Sequence, residues 1–412
     1  MSIDARMAIR NVWRNPRRSI LTIVAIVFAT TLLVFMLSWQ FGSYATMINA
    51  SVRIKSGHLQ VQSMGYLDRR ETRLVVPDPE NVAKIIDDIP GISDYTFRGS
   101  AFSLASSRDR TYGVMVLGID PEREGKVSTI KSLLRDGEYL SRGDGASALA
   151  GKLLAKNMKV GIGDEIVILG QGRDGSVAAT AVTVKGIISS GQDEFDRSFL
   201  IIPLPYFQEV YSMRGAVHEV VILGQELKKV SEIKKALSGK LVETPGGENL
   251  VVLDWMELIP GLIEAIKMDL SSGLIFYFIL IIVVAFSIMN TFLMVIFERT
   301  REFGVLVSIG ATPGRLTKVL LIESSYITMV GVSGGIILGG LITWYFQVHG
   351  IEMKGASDLL KEFGLPGRMY PRLSLLSVSI GAGIVLVITQ ITALYPAFMV
   401  FKIKPVEAMK AV

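Results

Sequence analysis

Four stretches of the chain run long enough without a charged residue to cross a membrane. They are Ile20 to Leu37, Leu270 to Phe297, Ser324 to Val348 and Leu373 to Phe401. A helix needs roughly 20 apolar residues to span about 30 Å of hydrocarbon. Lipid offers no partner to backbone N–H and C=O groups, so the helix is the form that satisfies them internally. The pattern predicts transmembrane helices at residues 20–40, 270–297, 317–348 and 373–401. Buried helices of a soluble core are shorter and amphipathic, which sets them apart from these runs. The basic flank of the first run is that of a signal peptide, but Ser38-Trp39-Gln40-Phe41 offers no small-residue cleavage site. An uncleaved anchor is expected.

Between the first and second runs the period changes. Residues 41–269 are long enough for a domain and read as mixed α/β. Alternation at His58 to Gln62 predicts a half-buried strand, and Tyr112 to Ile119, Glu165 to Gly170, Ala178 to Ile188 and Ser198 to Leu204 read as further strands. Helical spacing marks Glu80 to Ile89 and Val230 to Leu237, and Glu257 to Met268 leads helically toward the second run. Short strands and glycine-rich turns concentrate at about residues 120–198, which predicts a β-rich module inserted into an α/β one.

Charge decides the orientation. Arg6, Arg10, Arg14, Arg17 and Arg18 lie in residues 1–19; Arg299, Arg301, Arg315 and Lys318 lie around the second connection; Lys402, Lys404 and Lys410 lie in the tail, 402–412. The positive-inside rule places all three in the cytoplasm, with both termini, and the 41–269 domain outside. The loop at 349–372 weakens the bias, since Lys354, Lys361, Arg368 and Arg372 mix there with Glu352, Asp358 and Glu362. The net charge of +5 is then accounted for by tails facing anionic membrane lipid and requires no nucleic acid. Mean hydropathy is +0.44 and half of the residues are hydrophobic, far above soluble domains of this size. The chain has no cysteine, which excludes disulfides and thiolate metal sites.

No catalytic constellation emerges. His58, His218 and His349 lack metal-ligand spacing, so no metal site is expected. Ala146 to Leu153, ASALAGKL, approaches a phosphate loop but puts Leu153 where Mg²⁺ needs a hydroxyl, so this chain is not expected to hydrolyse ATP. The membrane runs lack the carboxylates of a proton relay. Glu323 lies near a helix end, and Asn290 and Gln390 are uncharged groups suited to bonding across the bundle. Gly331, Gly335 and Gly339 recur at small-xxx-small spacing, a seam for another helix of the bundle or of a second chain.

The connection at residues 298–316 is richer than a linker needs to be. Phe303, Val305, Leu306 and Ile309 form an apolar face, Gly310 breaks it, and Thr312-Pro313 starts a new helix. Such a face lies in the membrane interface or docks into a soluble partner. The run E-R-T-R-E-F-G-V-L-V-S-I-G-A resembles the signature of the FtsX-like, MacB-type permeases of ABC transporters, matching at Glu298, Arg299, Glu302, Phe303, Gly304, Leu306, Gly310 and Ala311. Ala8 to Thr22 resembles the family's amphipathic N-terminal helix, here residues 1–19, and its entry to the first membrane helix, and the KPVEAMK tail, Lys404 to Lys410, resembles the family's C-terminal end. The resemblance extends over the whole chain. It implies one helix, a large periplasmic α/β domain of Porter and Sabre modules, then three helices in the bacterial inner membrane. It also implies a second permease chain, as a homo- or heterodimer, and two copies of a separate ATPase that carries ATP and Mg²⁺. The matched residues from Glu298 to Gly310 would form a coupling helix for mechanotransmission.

Within the family, SGHLQVQSMGY after the first helix and the overall length are most similar to the lipoprotein-releasing permeases LolC and LolE. That likeness implies lipoprotein or other lipophilic cargo and a periplasmic carrier. Phe28, Leu32, Phe35 and Met36 on the first helix, with Phe276, Ile279, Leu280 and Val283 on the second, would face the cargo path or simply face lipid. A MacB-like efflux permease with an adaptor, and an FtsX-like switch for a cell-wall hydrolase, are the alternatives.

Overall fold

A computed structural model describes residues 3–14, 16–108, 110–352, 355 and 368–399. The tail motif at Lys404 to Lys410, with Lys354, Asp358, Lys361 and Glu362 of the 349–372 loop, lies outside the described residues. The main helices are α1 (Ile3–Arg14), α2 (Pro16–Ser51), α3 (Pro79–Asp87), α4 (Pro121–Val127), α5 (Val230–Val242), α6 (Pro260–Ser308), α7 (Pro313–His349) and α8 (Leu375–Met399). The strands are β1 (Leu59–Ser63), β2 (Ile92–Ser107), β3 (Arg110–Ile119), β4 (Leu134–Gly137), β5 (Ser147–Gly151), β6 (Glu165–Gln171), β7 (Val177–Ile188), β8 (Phe199–Pro203), β9 (Glu219–Gly224) and β10 (Leu250–Asp254). The chain divides into two units, Met1–Ala45 with Ile266–Glu352 and Arg368–Val412, and Thr46–Ala265 with Met353–Gly367.

The first unit is a helical bundle. Four helices among the described residues, α2, α6, α7 and α8, are long and apolar enough to cross a membrane. They overrun the expected bounds. α2 continues to Ser51 and then into a π-helical turn, Val52–Ser56, so residues 41–51 are helix, and the second unit begins within it at Thr46. Nothing breaks the helix before Gly57, which takes φ +67°. α6 starts at Pro260, which needs no N–H at a first helical position, and runs 49 residues to Ser308.

The glycine seam lies inside the bundle. A Cβ on Gly331 would stand 2.7 Å from the Ile26 Cβ, and one on Gly335 would stand 2.4 Å from the Thr30 Cβ. Gly339 is less tightly placed, 3.1 Å from the Thr31 Cα, and Gly381 of α8 approaches Val34. α2 is therefore gripped by both α7 and α8, as small residues permit when dispersion must hold helices together in lipid. Polar stitches add to this. Ser38 bonds Ser377 at 2.9 Å, and Ser325 donates to Gln390 at 2.9 Å. Asn290 instead stands exposed on α6, because its face turns away from the bundle.

The second unit is built on one ten-stranded sheet in the order β10-β1-β9-β2-β3-β8-β5-β7-β4, with β6 pairing β2 and β7. The pairs β3–β8 and β5–β7 are parallel and the rest antiparallel. β2 is the spine, pairing β9 through its first half and β3 and β6 through its second. The strands at 120–198 therefore do not stand apart as a sheet of their own. They continue the same sheet through β8 and β3, because β2 is long enough to serve both regions. β1 departs from the half-buried expectation, since Leu59 to Gln62 are all buried. It lies between β9 and β10, so both its edges are paired.

Among the described residues this unit holds two larger hydrophobic clusters besides a small one at Val127, Val221 and Leu223. One gathers Val114, Val116, Leu154, Ile168 and Phe207. The cross-strand pair Gly99 and Gly118 makes its seat, since a Cβ on either would stand 2.3 or 2.5 Å from the Phe207 ring or its Cβ. The other gathers Ile119, Ile130, Leu149 and Phe195. Among them sits a fully buried ion pair, Arg98 with Glu124 of α4. Burial works against the Arg98 charge, but Glu124 more than offsets it and holds the guanidinium above its ordinary range. His218 is satisfied as a neutral ring. Ser100 N–H donates to its Nδ1 at 2.9 Å, and its Nε2 faces the Thr72 carbonyl at 3.1 Å.

Candidate functional site

The residues singled out at 298–316 meet at the hairpin between α6 and α7. The expected short separate helix is the last part of α6, which continues unbroken because Glu298 to Ser308 contains no breaker except Gly304, and that glycine is buried in the helix. The turn follows. Gly310 takes φ +103°, a conformation that an L side chain rarely adopts, and Ala311 N–H donates back to the Leu306 carbonyl at 2.9 Å. Thr312 then leads into α7 with Pro313 at a first helical position.

The apolar residues of the hairpin divide into two kinds. Phe303 is buried against Ile296, Leu316 and Leu320, so it closes the hairpin on itself and offers no docking surface. Val305, Leu306 and Ile309 stay exposed, Ile309 at 79%. An exposed apolar tip on a polar hairpin marks a contact for another protein or for the membrane interface.

Charge locks the hairpin to α1 and α2. Arg14 and Arg18, four residues apart, meet Glu302 and Glu298, also four apart, in a reversed ladder. Arg299 turns inward and bonds Glu302 and Glu323, each at 3.3 Å, while its guanidinium lies over the Phe303 ring. Arg315 bonds Asp4 at 3.0 Å. Burial pushes the Glu302 carboxyl up, but hydrogen bonds from Arg14 and Arg299 outweigh it and hold the carboxyl below its ordinary range. Glu323 therefore belongs to this network. An open cleft of about 660 Å³ runs between α1 and the hairpin, lined by Met7, Arg14, Glu298, Arg301, Leu306 and Val319.

Arg14, Arg18 and Asp4 were not among the coupling residues expected from the hairpin motif. The matching four-residue spacings of opposite charge, at 14/18 and 298/302, are the signal that pairs them.

The proposed path residues are not of one kind either. Phe28, Phe276, Ile279 and Val283 are exposed on α2 and α6. Leu32, Phe35, Met36 and Leu280 are half-buried within the bundle, and Phe35 packs edge-on against Phe346. The two membrane helices differ more broadly, since only 6% of the apolar window of α6 is buried against 39% of that of α2. No cluster of His, Asp or Glu that could hold a metal occurs among the described residues. The near-phosphate-loop at Ala146 to Leu153 is a strand, β5, passing directly into the helix Lys152–Met158, with no loop to wrap a phosphate.

Comparison with known proteins gives two family matches. The MacB-like periplasmic core domain matches residues 19–239, and the FtsX-like permease C-terminal region matches residues 274–405. The chain is 27% identical to the lipoprotein-releasing system transmembrane protein LolC of Xylella fastidiosa, over 73% of this chain and 74% of that one. It is 22% identical to LolC of Neisseria meningitidis serogroup B over 96% and 95%. It is 24% identical to the macrolide export ATP-binding/permease protein MacB of Nitrobacter winogradskyi, over 98% of this chain and 60% of that one.

Proposed function

The chain belongs to the FtsX-like ABC transporter permeases that carry a MacB-like periplasmic core domain, and from that premise we propose that it extracts lipoproteins or other lipophilic cargo from the bacterial inner membrane by mechanotransmission. It is the non-catalytic membrane subunit, and its energy comes from a separate ATPase seated on the α6–α7 hairpin. What supports this reading most is α6 itself. At 1.5 Å per residue its 49 residues extend about 74 Å without a break. One end is keyed by the Arg14 and Arg18 ladder beside an exposed apolar tip. A rigid rod with a partner-ready end suits the transfer of movement rather than the passage of a solute.

The exposed face of α6, including Asn290, supports pairing with a second permease chain, since a polar group on a membrane helix gains from a partner. Phe28, Phe276, Ile279 and Val283 then border the apolar path. Burying an acyl chain is worth about 0.8 kcal/mol per CH₂, so its removal from the bilayer needs both such a path and ATP. Phe102, Leu104, Val167 and Leu169, exposed together on β2 and β6, support a periplasmic carrier or adaptor.

The test is purification of the chain with its ATPase from native membranes, followed by mass spectrometry of what travels with it. Acylated proteins enriched over a detergent control are expected. A complex that brings down an adaptor and an outer-membrane channel, with no acylated protein, would move the assignment to MacB-like efflux. A complex whose ATPase responds only to a cell-wall hydrolase would move it to an FtsX-like switch.

A further inference from the structure

The external unit holds a pocket of about 160 Å³ on one face of its sheet. Its apolar wall is Ile54, Met115, Leu117, Phe195 and Phe199. Ile54, Leu117 and Phe195 are buried members of the cluster around Ile119 and Leu149, and the Phe195 and Phe199 rings stack at 4.2 Å, so the wall is preformed. The polar side chains that line the pocket are already engaged within the protein. Arg98 is sealed against Glu124, Arg70 bonds Glu219 at 3.1 Å, and the Ser100 hydroxyl donates to the Met115 sulfur at 3.1 Å. The strand register carries the apolar wall out toward solvent. Phe102 of β2 stands opposite Met115 of β3, and Met115 opposite Phe199 of β8, in one row across three strands. Met115 and Phe199 are half-buried, and Phe102 is 68% exposed.

We propose that this pocket takes the end of a linear hydrocarbon chain, whose remainder lies along the row to Phe102. The volume fits about six carbons, since a cavity of about 150 Å³ walled by apolar side chains admits a benzene ring. The chemistry favours such a chain over a peptide. A peptide brings N–H and C=O groups that need partners when buried, and every polar side chain lining the pocket is engaged already. A hydrocarbon needs no partner and gains in proportion to the area it buries. Gly113 shapes the row. A Cβ there would stand 2.9 Å from the Phe102 Cζ, so the glycine lets the ring lie down over β3. Leu104, Val167 and Leu169, which support a carrier, follow on the same face, so a seated chain and a docked carrier share one surface. Taking the chain to be the cargo's own rests on the lipophilic-cargo reading; the binding itself does not, and it is measured separately.

The test uses the full chain in nanodiscs with a long-chain fatty acid that carries a diazirine at its methyl end, followed by light and peptide mapping by mass spectrometry. Label is expected on the segments that hold Leu117 and Phe195, besides the label that a bilayer probe leaves on α6, and unlabelled fatty acid should compete for it. Met115→Trp fills the mouth and should lower the pocket label at least about tenfold, the worth of roughly two buried methylenes, with α6 labelled as before. Phe102→Asp, at an exposed position where the fold tolerates a charge, should lower it too. Loss in Met115→Trp alone, at an unchanged melting temperature, confines the chain to the pocket. A diazirine phospholipid and a diazirine-acylated peptide, run in parallel, tell lipid from acylated protein as the source of the chain. Label on α6 with none at Leu117 or Phe195, or pocket label equal in the wild type and both variants, overturns the proposal. Benzoylphenylalanine in place of Phe102 that cross-links a protein of the native membrane, with the fatty-acid label absent, would assign the face to a protein partner and overturn it as well.

Discussion

The membrane bundle and the external domain handle charge in opposite ways. In the bundle, charges gather in ladders at one end, where Arg14 and Glu302 are each about half exposed. In the external domain, Arg98 and Glu124 are sealed inside with essentially no exposure. A sealed pair is fixed by its surroundings, whereas a half-exposed ladder can be reached and rearranged by a partner. Residues of the first kind hold the molecule together, and residues of the second kind are open to contact from outside.

The sealed pair yields the largest expected effect. Arg98→Ala leaves Glu124 charged and buried without its partner, at a cost of about 3–5 kcal/mol. Thermal unfolding of the full chain should show the external unit melting well below the wild type. A shift no larger than that of an exposed substitution would show that the pair is not sealed.

Acid gives the next effect, from His218. Burial pushes its pKa down to about 4, from an ordinary 6.5. The folded state therefore prefers the neutral ring. Its contribution is present in full above about pH 6.5 and is lost as the pH falls from there through 4. At about 1.4 kcal/mol per unit, the loss approaches about 3 kcal/mol. Denaturant midpoints measured from pH 7.5 down to 4.5 should fall for the wild type and fall less for His218→Gln. Parallel curves would remove His218 as the cause.

A third effect lies in the bundle, where Gly335→Val forces a side chain into Thr30. Overpacking of this kind costs about 1–3 kcal/mol, read as a lower melting temperature in detergent. Val283→Ala on the exposed face of α6 is the matched control, with a shift within about 0.5 kcal/mol.

The ladder gives the smallest effect on stability and the sharpest one on activity. Glu302→Arg should change stability by no more than about 1 kcal/mol, as for exposed ion pairs generally. It should nevertheless lower ATP-driven activity of the assembled complex, and Arg14→Glu in the same chain should restore part of it. No recovery in the double variant would separate the pair from coupling.

How much of this was legible in sequence varies with the physics. The membrane helices were, because uncharged runs such as Leu270 to Phe297 have few other outcomes. Helix on both flanks of that run was legible too, at Glu257 to Met268 and in the 298–316 connection, but not that the flanks join it as one unbroken helix, Pro260–Ser308, since polar residues such as Lys267 and Arg301 sit in helix as readily as at a boundary. β2 was missed because ISDYTFRGSAFSLASS mixes small and polar residues at positions that the neighbouring strands bury. β9 was missed although EVVILG is apolar throughout, because a short apolar run does not say whether it is strand or helix. At the hairpin, exposure divides the motif's apolar residues, with Phe303 inside and Ile309 outside. Periodicity alone does not reveal which side of a hairpin its own second helix will cover.

The central claim is that the α6–α7 hairpin passes ATPase movement to cargo release. Its most direct test is an assembled complex in proteoliposomes carrying an acylated protein, with ATP added and the released protein counted in the supernatant. The wild type should release it only with ATP. Ile309→Asp, which puts a charge on the exposed tip, should leave the permease folded and abolish ATP-driven release. Release at the wild-type rate by that variant, or release without ATP, would contradict the account.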